Sequence, residues 1–196
     1  MREIDIRKRL NHEVLNFFPE DPDAIVVNEF GLCQGEARID LAVINGSIHG
    51  FEIKSENDTL ERLPSQQEVY NRVFDTITIV TGDKYISKVR DCIPSWWGIM
   101  RARQIGKGVT LESLRECKNN PSVDPFSLVQ LLWHSEALSI LEEWKLAKGL
   151  KSKPRHYIWS ALAENIPLEQ LSIVVRDTLK KRGSLKKRDK WTAVLQ

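Results

Sequence analysis

Cysteine is scarce in this chain and odd in number. Cys33, Cys92 and Cys117 share no metal-ligand spacing, which argues against a zinc ribbon or a disulfide scaffold and favours the reduced thiols of a cytoplasmic protein. The four histidines (His12, His49, His134 and His156) are scattered, so no zinc spacing arises from them either. No apolar run approaches the ~20 residues of a membrane helix, and residues 1–9 lack the apolar segment of a signal peptide. The expectation is a cytoplasmic protein with no membrane partner. There is no G-x-S-x-G and no Walker loop, and Gly106-Lys107-Gly108 is too short to cradle a phosphate. What remains is an ordinary globular composition, 41% hydrophobic and 29% charged over 196 residues, enough for one domain with a core and a small appendage.

Charge is present but unevenly spread. Residues 1–120 carry 16 Lys/Arg against 19 Asp/Glu, whereas residues 121–196 carry 13 against 8, and from Lys145 onward the count is 13 against 4. Such asymmetry points to a polyanion-binding end or to a solvated basic tail.

The densest signal is Arg38-Ile39-Asp40-Leu41-Ala42-Val43-Ile44, then Asn45-Gly46, then residues 47–54 ending in Glu52-Ile53-Lys54. Apolar alternation on both sides of Asn-Gly predicts a β-hairpin. Period-two geometry puts Glu52 and Lys54 on one face. A turn centred between Asn45 and Gly46 sets Asp40 opposite Phe51, and a small register offset would bring the two carboxylates together. Two carboxylates with a lysine at one strand end make a hard-cation site with a positive charge beside it.

This pattern resembles the PD-(D/E)XK nuclease superfamily. Asp40 matches its lone aspartate and Glu52-Ile53-Lys54 its (D/E)-x-K tripeptide. Gln66-Gln67-Glu68-Val69-Tyr70 carries the Q-x-x-x-Y of several of its branches, and the run from Phe51 to Pro64 looks like a small bacterial and phage-borne subfamily. The resemblance covers residues 1–103 as fold and 24–82 as motifs. It implies an α/β fold: a restriction-endonuclease-like αβββαβ core, a mixed sheet flanked by helices. The function it implies is Mg²⁺-dependent hydrolysis of DNA phosphodiesters, with Mn²⁺ as substitute and a homodimer admitted. Asp40, Glu52 and the Ile53 carbonyl would hold the metal, which activates water and offsets phosphate charge. Lys54 would hold the attacking water or stabilise the transition state. Gln66 and Tyr70, one helical turn apart, would reach the scissile phosphate, or else pack at the sheet rim. Glu29, before Gly31, is a further acidic ligand or a surface residue. Glu13 on the first helix reads as solvent-facing. Arg38, two residues before Asp40, would bind phosphate, and Ser55 and Asp58 read as helix caps. The rival readings are a catalytically silent nucleic-acid-binding or assembly protein with the same fold, and an accidental D…E-x-K.

The remaining pattern predicts a helix over residues 2–18 ended by Phe18-Pro19, and a strand over residues 24–30. A helix opened by Pro64 runs to Phe74, followed by a strand over residues 76–81, a helix over 84–92 and a strand over 97–102. Residues 104–124 look less regular, with Val109-Thr110-Leu111 a candidate short strand. A boundary at Asn119-Asn120-Pro121-Ser122 divides residues 1–120 from a helical module, residues 121–196. There, helix, extended connector and helix resemble small SAP-type DNA-binding modules, with Lys148, Lys151, Lys153 and Arg155 placed to neutralise phosphates; a helical cap on the sheet is the alternative. Trp133 and Trp144 are expected in the helical core, and Trp159 and Trp191 near the basic end, where core packing is favoured over stacking on bases.

Overall fold

The sheet is built from β-branched and apolar runs separated by short turns. In the computed structural model, which describes residues 1–17 and 23–188, six strands lie in sequence order: β1 (Ile25–Leu32), β2 (Ala37–Ile44), β3 (Ile48–Lys54), β4 (Thr76–Thr81), β5 (Gly98–Ile105) and β6 (Gly108–Arg115). β1–β2, β2–β3 and β5–β6 pair antiparallel, while β3–β4 and β4–β5 pair parallel. Helices supply the parallel crossovers: α2 (Leu63–Val73) between β3 and β4, and α3 (Ile86–Cys92) between β4 and β5. The protein is thus α/β, with a six-stranded mixed sheet flanked by helices. Residues 18–22, including the expected Phe18-Pro19 stop, and residues 189–196, including Trp191, lie outside the described residues.

Helices cover both faces of the sheet, so β3, a central strand paired antiparallel with β2 and parallel with β4, is buried along its whole length. On one face, α1 (Glu3–Glu13) packs Ile6 and Leu10 on Leu41, Val43, Phe51, Ile53 and Val80. On the other, a larger apolar cluster holds Ile44, Ile48, Ile77 and Ile79 from the strands with Tyr70, Val73 and Phe74 around α2. The same cluster continues through Leu128, Ile140, Leu162 and Val175, from α4 (Pro125–Val129), α5 (His134–Glu143), α6 (Arg155–Asn165) and α7 (Leu168–Arg188). The four C-terminal helices therefore close the core that the sheet begins, and that core runs uninterrupted across residue 120. Polar ties support the contact: the Asp124 N–H donates to the Arg72 carbonyl at 2.8 Å, and Arg176 reaches Asp75 at 3.5 Å.

Several expectations are refined. The stretch after residue 104 contains β6, and the Gly106-Lys107 pair forms its hairpin turn with Gly106 at φ +57°, where glycine relieves strain. The connector before α6 is a series of tight turns, with Lys145 and Gly149 in left-handed conformations, and is not extended. Trp133 and Trp144 are 51% and 37% exposed, so they stand outside the core; Trp159 is buried within it.

At the start of β5, Gly98 sits where a Cβ would fall 2.7 Å from Thr78 Oγ1 and within 3.1–3.2 Å of the Cys117 and Arg115 backbone. Backbone cannot swing aside as a side chain can. Gly98→Ala is expected to cost about 1–3 kcal/mol, read as a lower urea midpoint at unchanged slope.

Candidate functional site

The β2–β3 turn sets the site's register. Asn45 Oδ1 accepts the Ser47 N–H at 2.8 Å and its hydroxyl at 3.1 Å, an Asx arrangement that makes a three-residue loop closed by the Ile44–Ile48 pair. The hairpin midpoint is therefore Gly46, one half-step beyond the simple Asn-Gly expectation. Leu41, not Asp40, lies opposite Phe51. Extending that register aligns Asp40 with Glu52, where the ladder stops: Asp40 Oδ2 accepts the Ile53 N–H at 2.7 Å. A side chain there takes the donor that a strand carbonyl would otherwise satisfy.

The neighbouring strand is irregular at the same level. Glu29 lies inside β1 at φ +53°, a conformation that costs a non-glycine residue of order 1–3 kcal/mol. Pairing of β1 with β2 skips the Glu29–Asp40 level. The residues facing the larger core step from Ile25 and Val27 to Phe30 and Leu32 across Glu29, and from Ala37 and Ile39 to Ala42 and Ile44 across Asp40. Both strands thus change phase at one level, as bulges do beside functional sites. The phase change also removes the simple face-sharing expected of Arg38 and Asp40. Arg38 is exposed and its Nε lies 2.7 Å from Glu29 Oε2.

Around this break the predicted residues divide into two groups. Glu52 and Lys54 are buried together, with Nζ 2.7 Å from Glu52 Oε1. α2 closes over them: Gln66 Nε2 donates to Glu52 Oε1 at 3.0 Å, Gln66 Oε1 accepts from Lys54 at 2.9 Å, and the Tyr70 hydroxyl donates to Glu52 Oε2 at 2.8 Å. The i, i+4 spacing of Gln66 and Tyr70 puts both on the face that meets β3. Burial and the Glu52 charge push the Tyr70 phenol far above its ordinary value, so it serves as a neutral donor. The second group centres on Arg7, which the sequence reading missed. Its guanidinium meets Asp40 Oδ1 at 2.9 Å, Glu3 at 2.6 Å and Glu29. The signal for it was its place on α1 beside Ile6 and three residues before Leu10, the two positions that the helix buries.

The other candidates lie elsewhere. Glu13 pairs with Arg9. Asp58 caps a turn rather than a helix, accepting the Ser55 N–H and hydroxyl at 2.7 and 2.6 Å. Lys148, Lys151, Lys153 and Arg155 are exposed around the turns before α6, and Lys151 pairs with Glu142 at 2.7 Å.

Asp40 is pushed up to about 7 by burial first and then by the Glu52 charge, which together outweigh the Ile53 N–H and Arg7. A raised acid binds a proton in the folded state that the unfolded chain has released. Its contribution is complete below the unfolded value near 3.8 and is lost as pH rises through about 7. Buried His49 does the opposite: held down to about 3 by desolvation, it removes stability as pH falls below 6.5. The stability difference between wild type and Asp40→Asn is therefore expected to shift by a few kcal/mol against wild type between pH 4 and pH 8, at ~1.4 kcal/mol per unit. Paired chemical denaturation at each pH isolates this from His49, which both proteins share.

Among the described residues, no set of three or more His, Cys, Asp and Glu side chains is arranged to hold a metal ion. Asp40 and Glu52 fit a hard cation that takes two carboxylates and completes its shell with water: both are oxygen donors, and burial followed by the Glu52 charge raises the Asp40 carboxyl to about 7, a cost that a bound cation would offset. No described helix is long and apolar enough to cross a membrane.

The fold and this centre define a mixed-sheet α/β protein with a buried carboxylate–lysine cluster at the point where two strands part. The chain belongs to the bacteriophage P4 protein cII family, whose description matches residues 2–195. Protein cII of Enterobacteria phage P4 is 26% identical over 160 residues, 82% of this chain. The chain spans 60% of that relative's length. Among solved structures, a protein of unknown function from Silicibacter pomeroyi superposes with a TM-score of 0.45 at 17% identity, over 76% of this chain and 94% of that one.

Proposed function

We propose that this protein is a Mg²⁺-dependent nuclease with a restriction-endonuclease-like core, hydrolysing DNA phosphodiesters in the cytoplasm. The observation that carries the reading is the convergence of Asp40, Glu52, Lys54, Gln66 and Tyr70 on one strand break. Mg²⁺ or Mn²⁺, when bound, supplies a Lewis acid and an activated water. Asp40, Glu52 and the Ile53 carbonyl are the groups that would hold it, with Glu29 at the Asp40 level on the neighbouring strand β1. Lys54, with donors beyond those spent on Glu52 and Gln66, offsets charge on the phosphate oxygens. Gln66 and Tyr70 fix the Glu52 carboxylate, and Arg38 and the exposed Lys148, Lys151, Lys153 and Arg155 attract the phosphate backbone.

A second reading, a catalytically silent DNA-binding protein, is favoured by one observation: every oxygen of Asp40 and Glu52 already has a protein partner. The experiment that separates the two incubates wild type and Lys54→Ala with supercoiled plasmid and single-stranded DNA in Mg²⁺, Mn²⁺ or EDTA. Metal-dependent cutting lost in Lys54→Ala supports the nuclease. Gel retardation without cutting under any metal supports the silent protein.

A further inference from the structure

The first turn of α6, just after the basic turns, carries an exposed aromatic that the candidate site does not use. Tyr157 is 55% exposed and takes no part in the buried core. Its ring lies against His156 at 5.9 Å, nearly perpendicular, with Lys153 Nζ 5.6 Å from its centroid. His156 is held in turn edge-on to Phe126 at 5.4 Å, and Arg155 lies over the Trp159 ring at 5.3 Å. From Trp144 to Ala163 there is no Asp or Glu, against five Lys/Arg. No carboxylate pairs with Lys148, Lys153 or Arg155 among the described residues.

We infer that Tyr157, with His156 and Lys153 against its ring and Lys148 and Arg155 exposed in the same basic stretch, is a stacking platform for single-stranded nucleic acid. A duplex hides its base faces in the stack and offers this surface only phosphates. A single strand offers both phosphates and π-faces, and an exposed ring flanked by cations matches both. Histidine held edge-on keeps the tyrosine ring from folding back, which lowers the ordering cost of stacking. The inference deepens the nuclease reading by naming its substrate class, and it rests on that reading for the partner being nucleic acid.

The test is fluorescence anisotropy of labelled dT20 and of a labelled 20-base-pair hairpin in EDTA, where no cutting occurs. Wild type is compared with Tyr157→Ala, Tyr157→Phe and Lys153→Ala. Tyr157→Ala should weaken dT20 binding about 5- to 150-fold, Tyr157→Phe should restore most of it, and hairpin binding should change little. Lys153→Ala should reduce the salt slope on dT20 by about 0.7. Equal affinity of wild type and Tyr157→Ala for dT20, tighter wild-type binding of the hairpin, or no binding of either probe would each overturn the inference. Its fate is separable from that of the nuclease: Tyr157-dependent binding without cleavage under any metal sinks the nuclease alone, and cleavage with Tyr157-independent binding sinks the platform alone.

Discussion

Asp40→Asn is expected to abolish metal-dependent strand cleavage, by about a hundredfold or more, in a protein that still folds. The argument turns on what the carboxylate does besides chemistry. Its Oδ2 accepts the Ile53 N–H at the end of the β2–β3 ladder, and an asparagine carbonyl oxygen can do the same, so the strand break stays in place. What asparagine removes is the negative charge, and with it one of the two anionic oxygen donors and the ionic partner of Arg7. Loss of a charged group aimed at the reacting centre typically costs 10²–10³ in rate. Stability moves the other way near neutrality, since the substitution removes a charge that burial, and then Glu52, disfavours. Initial rates on plasmid with Mn²⁺ and Mg²⁺, with a denaturation curve on the same sample, check both. Retained cleavage at the wild-type rate would remove Asp40 from the centre.

How much of this was legible in the sequence follows from what each residue's neighbours are. The hairpin, the α2 crossover and β4 could be read because Asn-Gly, an opening proline and a β-branched run are local signals. That Glu52 and Lys54 share one face and Gln66 and Tyr70 another followed from the strand and helix periods, while the expectation that the second pair reaches the first came from the family resemblance. The half-step in register was hidden because it depends on the Asn45 side chain choosing Ser47 as its partner. The phase change at Glu29 and Asp40 was hidden as well, since a glutamate in left-handed backbone carries no mark in the sequence. Arg7 was missed for a related reason: a cation at the border of an apolar stripe reads as solvated until three acids from α1, β1 and β2 surround it. The C-terminal helices carried plain helical periods, yet their burial against the sheet and the exposure of Trp133 and Tyr157 depend on long-range packing.

Trp97→Ala is expected to be the most costly core substitution, about 3–5 kcal/mol, and its consequences should reach the site. Trp97 is fully buried just before β5. Its indole N–H donates to Asn71 Oδ1 at 2.9 Å, and its ring stacks on Tyr70 at 6.2 Å. Phe74 also meets Tyr70 edge-on at 6.0 Å. Tyr70 is therefore packed against two aromatic rings, and this packing helps aim its hydroxyl at Glu52. Removing the indole leaves a cavity beside that ring and an Asn71 amide without its donor, which adds a desolvation cost to the lost packing. Trp97→Phe keeps a ring against Tyr70 and loses the hydrogen bond, so it should recover more than half of the loss. A guanidinium titration of the three proteins gives the ordering wild type, Trp97→Phe, Trp97→Ala. If Trp97→Ala were as stable as Trp97→Phe, the stack would not be what holds Tyr70, and the orientation of Glu52 would rest on Gln66 and Lys54 alone.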